Sequence, residues 1–270
     1  MNLPPSLRAD RDPHQRLRGW LVGWWRIVHL GAKVLVLALS RSTYRGDLRP
    51  RLARHLYLGS APLLLWFTVL SSLISLVLIR IVVVTAASYG LSQYALQMLV
   101  RVLVLELIPL TAAVFVALRV ALPDAAEIGQ RVSTLRDAGS YDPQRGPDAL
   151  LLRNAVLPRV LAAMFGVLAL AALSGVVTLL LAYLSVYGFA AGGLPGYTRT
   201  VGHIFHPAVT LIFVLKTVLL ALAVALIPLG SALYDRPRTR SRASAEVQVL
   251  VRLFLVILLI EALSLAGNYY

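Results

Sequence analysis

The chain has 270 residues, 59% of them hydrophobic and only 14% charged, with a net charge of +14. A soluble domain carries about a quarter charged residues, so this composition excludes an ordinary globular domain and indicates an all-α integral membrane protein with one membrane domain. It contains no cysteine, which excludes disulfides, thiolate metal sites and thiol nucleophiles.

Eleven of the 26 lysines and arginines precede Tyr57. The lead is rich in proline and arginine (Pro4, Pro5, Arg8, Arg11, Pro13, Arg16, Arg18), and no small-residue cleavage pattern closes the first apolar stretch, so it does not read as a cleavable signal. Leu17–Ser40 follows. It is apolar, but Arg26, His29 and Lys33 recur on one side and Trp20, Trp24 and Trp25 suit a membrane interface. This pattern predicts an amphipathic helix lying in the cytoplasmic leaflet. Residues 1–57 are therefore expected to form a cytoplasmic N-terminal segment, and 58–270 the membrane domain.

Five apolar runs then reach the roughly 20 residues that a helix needs to cross a bilayer. They are Leu58–Val84, Ala95–Leu122, Val156–Tyr187, Pro207–Leu233 and Val247–Ala266. The loops between them alternate in basic content. Thr85–Tyr94 has no Lys or Arg, and Gly188–His206 has only Arg199. By contrast Pro123–Ala155 holds Arg131, Arg136, Arg145 and Arg153, and Tyr234–Glu246 holds Arg236, Arg238, Arg240 and Arg242. The positive-inside rule gives a cytoplasmic N-terminus and an external C-terminus. The same distribution assigns the net charge to cytoplasmic loops and anionic headgroups rather than to nucleic acid.

The second span carries a carboxylate, Glu106, then Pro109, which is expected to kink the helix, and ends at Arg119. Charges also fall at Arg80, Arg101, Lys216, Arg252 and Glu261. Arg119 and Arg252 lie near cytoplasmic ends and can snorkel. The others lie on four different spans, mostly in their outer parts. They read either as a polar cavity opening outward or as interhelical salt bridges facing the bundle interior. Arg101 and Glu106 are five apart, far round an α-helix from each other, so they are not expected to pair. In the third span, Ala162 with Gly166 and Ala171 with Gly175 allow close helix packing, either within one protomer or at a dimer face.

Catalytic patterns are absent. There is no phosphate loop, no G-x-S-x-G elbow and no H-E-x-x-H. His203 and His206 form an i, i+3 pair without carboxylate or cysteine support, so they read as loop residues rather than a metal site. No cofactor, metal or enzymatic activity is expected.

Several motifs in order resemble the MlaE-type permease family, the membrane subunits of ABC transporters that move phospholipid between bacterial membranes. LELIP at Glu106 and Pro109 is similar to that family's R-E-L-G-P, with Leu105 in place of its arginine and Ile108 in place of its glycine. VALRVAL around Arg119 resembles its arginine turn. AEIG at Glu127, Ile128 and Gly129 resembles the opening of its coupling helix. Asp142-Pro143 supplies a D-P, and Pro158-Arg159-Val160-Leu161-Ala162 supplies P-R-x-x-A. The resemblance runs from about Leu52 to the C-terminus.

It implies a homodimer in the bacterial inner membrane, with a separate ATPase subunit and an MCE-domain lipid-binding subunit as partners. It also implies a lipid cavity at Glu106, Arg80, Arg101, Lys216 and Glu261, and ATPase coupling through Arg119, Asp124, Glu127, Gly129 and Asp142. Pro109, Gly166 and Gly175 would be structural. The altered coupling loop leaves open an assembly subunit without ATPase coupling, and Glu106 leaves open a proton-coupled transporter.

Overall fold

The computed structural model describes residues 13–40, 48–142, 146–234 and 242–269, and these are almost wholly helical. In chain order the elements are α1 (Pro13–Leu39), α2 (Leu48–Ser88), α3 (Ser92–Leu99), π1 (Val100–Leu107), α4 (Ile108–Val116), π2 (Ala117–Ala121) and α5 (Leu122–Asp137). Then come α6 (Ala149–Leu151), π3 (Leu152–Val156), α7 (Leu157–Tyr187), α8 (Leu194–Ile204), α9 (Pro207–Tyr234) and α10 (Arg242–Tyr269). Among the described residues six stretches are long and apolar enough to cross a membrane: Leu64–Ser88, Tyr94–Asp137, Ala149–Tyr187, Pro207–Tyr234 and Glu246–Gly267, which overlap the five expected runs, and Val22–Leu39 in α1.

The elements outrun the apolar runs. α2 starts at Leu48, ten residues before its apolar run, and its 41 residues make a rod about 60 Å long. The second run was expected to give way to a turn at Arg119 and then a separate coupling helix. Instead α3 to α5 form one unbroken helix over 92–137.

That helix contains two π segments, and a third precedes α7. Each ends two residues before a proline: Leu107 before Pro109, Ala121 before Pro123, Val156 before Pro158. Proline has no N–H, so Leu105, Arg119 and Asn154 lose the donor an α-helix would supply four residues on. Widening to i→i+5 bonding just ahead of the proline lets the ladder continue.

α7 is the central post. It packs along α2, α4 and α9. Gly166 lets Val116 of α4 approach, where a Cβ would stand 3.6 Å from its Cγ2, and Gly175 does the same for Val104 of π1 at 3.8 Å. Ala162, Gly166, Ala171 and Gly175 are all buried inside the chain, so this small-residue face serves intrachain packing and is not free to form a dimer face. Against α2, α7 places Thr178, whose hydroxyl lies 3.0 Å from that of Ser75 in a buried pair. Phe67 of α2 meets Phe115 of α4 with ring centroids 4.8 Å apart.

α1 seats Ile27, Leu30 and Val34 inward and packs mainly on α9. Ile27 meets Gly230, Gly31 meets Leu226, and the Arg26 guanidinium lies over the Tyr234 ring at 5.8 Å. Successive turns of α1 thus meet successive turns of α9 in reverse order, and the two run antiparallel. The sequence laid this helix along the membrane surface on the strength of Arg26, His29 and Lys33. The packing shows an apolar stripe docked lengthwise on a neighbouring helix.

The Gly188–His206 stretch, read as a loop, forms a 3₁₀ turn at Ala191–Gly193 and the amphipathic α8. α8 lies over α3 and π1. It is tied down by Tyr197, whose hydroxyl donates to the Leu179 carbonyl at 2.8 Å and whose ring packs edge-on to Tyr183.

Candidate functional site

Two ion clusters stand out, one at each end of α3–α5. The first is inside the apolar band. Lys216 of α9 is 2% exposed. Its Nζ donates to Glu106 Oε2, to Glu261 Oε1 of α10 at 2.8 Å, and to the Leu105 carbonyl at 3.3 Å. The local sequence accounts for this geometry. Pro109 withholds an N–H from Leu105, so that carbonyl can turn to an ammonium, and π1 presents Glu106 to α9 in the same turn. A lone charge at this depth is costly, and the three groups offset one another. Glu106 and Glu261 are only 16% and 14% exposed.

Of the five residues expected to line a cavity, the structure therefore brings three into a nearly closed cluster. Arg80 and Arg101 form no ion pair with it. Arg80 is exposed on α2, and Arg101 is half-buried in π1. The π turn also alters the Arg101–Glu106 relation, since i→i+5 winding brings positions five apart back toward one face.

The second cluster lies beyond the apolar run, at the α5 end. Arg159, buried in the first turn of α7, has Nη2 2.9 Å from Glu127 Oε2 and Nε 3.9 Å from Asp124 Oδ1. Its Nη1 donates to the Ala155 carbonyl at 3.0 Å. Glu127 also accepts from Arg131 Nη2 at 2.6 Å. The hydrogen bond from Arg159 holds the Glu127 carboxyl below the ordinary value of 4.5, against the opposing effect of partial burial.

Asp124 and Glu127 thus turn toward α7. Arg119 and Asp142 are exposed. Gly129 lies against α9, where a Cβ would stand 3.8 Å from Ala232 Cβ. Tyr141, in the loop after α5, donates to the Leu233 carbonyl at 3.0 Å, and burial pushes its phenol up to about 12. Sequence reasoning gave Arg159 no role, although it quoted the motif containing it. The signal was the acid of AEIG and the arginine of P-R-x-x-A taken as partners.

Among the described residues no group of three or more His, Cys, Asp or Glu could hold a metal. His203 lies in the last turn of α8 and His206 precedes α9, and both are exposed.

No curated protein matches the chain. A family model described as permease MlaE matches residues 52–266, which is most of it. With six long apolar helices among its described residues, the chain is a multi-pass membrane protein that belongs to the MlaE permease family.

Proposed function

We propose that this chain is the permease subunit of an ABC transporter that moves phospholipid between the bacterial inner membrane and a periplasmic MCE-type carrier. The observation that carries the reading is the family match across residues 52–266. In this reading the protein acts as a homodimer, hydrolysis occurs in a separate ATPase subunit, and the α5 end faces the cytoplasm. α5 receives the ATPase's motion and passes it to α7 through Arg159 and to α9 at Gly129. The Lys216 cluster sits beside the lipid path, on the helix that is continuous with α5.

The test is purification in mild detergent followed by identification of what comes with the chain. An ATPase and an MCE protein are expected, and reconstitution of all three should exchange lipid only with ATP. Exchange that proceeds equally without ATP would sink the proposal.

A second reading, proton-coupled transport through Glu106, draws on the two carboxylates that share Lys216. It predicts exchange driven by a pH gradient alone.

A further inference from the structure

Arg80 stands apart from the other charges in the outer parts of the spans. Lys216 is buried, and Arg101, Glu106 and Glu261 are half-buried, whereas Arg80 is exposed. Among the described residues it makes no hydrogen bond and no ion pair. It lies eight residues before the end of α2 at Ser88, so about 12 Å of helix continues past it. A guanidinium keeps its charge at any accessible pH and cannot escape the apolar band by losing a proton. A charge facing that band is costly without an acceptor.

The face that carries Arg80 runs the length of the span. Trp66, Val69, Leu73, Val77, Arg80 and Val84 are all exposed and recur at three- and four-residue spacing, which is one stripe of a helix. α10 gives the comparison. Its spanning stretch is as exposed as that of α2, with 17% buried in each against 50% in the stretch that includes α7. Yet no exposed residue of α10 between Val247 and Leu265 is charged, as suits a surface that meets only acyl chains. An apolar stripe of helix length, interrupted by one cation, fits a second helix that brings the acceptor.

A second copy of this chain does not supply that acceptor. Its carboxylates in the outer parts of the spans are Glu106 and Glu261, and Lys216 holds both. Two copies paired through α2 about a two-fold axis along the membrane normal would set Arg80 near Arg80. A headgroup phosphate belongs at the bilayer surface, whereas Arg80 lies two turns of α2 inward. We propose that the outward face of α2 docks a transmembrane helix of a different protein, which carries a carboxylate level with Arg80. The carboxylate takes the guanidinium in a bidentate pair, and the apolar stripe packs along the same helix. This assignment goes beyond the lipid-transport reading and does not rest on it.

The absence of cysteine makes the face addressable. Val84→Cys, one turn outward of Arg80 on the same stripe, is reconstituted in phosphatidylcholine vesicles with a synthetic polyleucine spanning helix. That helix carries a single glutamate at the depth of Arg80 and one cysteine a turn outward of it, and disulfide cross-linking is measured. The glutamate helix should cross-link about fivefold more than its glutamine or leucine counterpart. Arg80→Gln should bring it down to the leucine level. Arg80→Lys should restore part of the difference, which shows that the loss in Arg80→Gln is not misfolding. Leu258→Cys, exposed on α10, should cross-link the three helices equally. Equal cross-linking of the three helices at position 84 overturns the assignment, and so does the same glutamate preference at position 258. A preference that survives Arg80→Gln also overturns it. If phosphatidylglycerol in the vesicles abolishes the preference fully, a headgroup satisfies Arg80 and the helix assignment falls. Each readout is separate from ATP-dependent exchange, so the transport reading stands or falls on its own test.

Discussion

The two ion clusters use the same chemistry in different surroundings. Around Lys216 the ammonium is 2% exposed and its carboxylates 16% and 14%, and the groups come from three helices far apart in sequence. Around Arg159 only the arginine is buried, and Glu127 keeps 47% of its side chain exposed. The first cluster is therefore a dry cross-link whose members depend on one another. The second is a screened hinge pin between α5 and α7, held on one side and wet on the other. What differs is the dielectric, and with it the penalty for losing a partner.

Removing the Lys216 ammonium tests that difference most severely. Lys216→Met leaves two carboxylates side by side in the apolar band and should destabilise the protein by about 3–5 kcal/mol. This would be read as a lower melting temperature in detergent, with little change when salt is raised. Strong relief by salt would show the cluster to be wet and would erase the contrast. Glu106→Gln, nearly isosteric, should cost less stability but change lipid exchange or the lipid that co-purifies. Exchange at the wild-type rate in both Glu106→Gln and Glu106→Leu would make the carboxylate a purely structural cross-link.

At the other cluster, Arg159→Ala should loosen α5 by about 1–3 kcal/mol, since it strips buried hydrogen bonds. The charge swap Arg159→Glu with Glu127→Arg should recover only part of this, because it would place a carboxylate opposite the Ala155 carbonyl.

The smallest effect belongs to Glu127→Gln. The folded Glu127 value lies below 4.5, so its pairing contributes stability at neutral pH, and that contribution is lost as pH falls through the folded value. Wild type should lose α5 protection from hydrogen exchange below about pH 4.5, more steeply than Glu127→Gln, and high salt should shrink the gap between them. Identical acid profiles would remove Glu127 from the α5–α7 link.

Much of this was legible in the sequence. Apolar length found five of the six long apolar stretches among the described residues, Val22–Leu39 having been set aside on its charges, and the motif order around Glu106, Glu127 and Arg159 identified the family. Depth alone placed Lys216, Glu106 and Glu261 at similar levels, but depth could not say which charges would meet. That depended on tertiary packing of α9 between the second span and α10, and on a π turn that no α-helical wheel contains. α8 was missed because its apolar face, Tyr197, Val201 and Ile204, is interrupted by glycines and threonines that read as loop. The docking of α1 was missed because Gly31 and Gly230 act as clearance for Leu226 and Ile27, which no charge pattern announces.

The prolines of the second span have a consequence for its azimuth. Glu106 and Asp124 are eighteen residues apart, which in a uniform α-helix is about five whole turns and would stack them in one column. They instead address different neighbours, Glu106 reaching α9 and Asp124 reaching α7. Each π segment retards the winding, so the two halves of one rod fall out of phase. A single continuous helix can thereby present its charged groups in two directions without a break in the backbone. Restoring uniform phase, for instance by replacing Pro109 and Pro123 with alanine, would swing one cluster away from its partner while leaving every side chain in it intact.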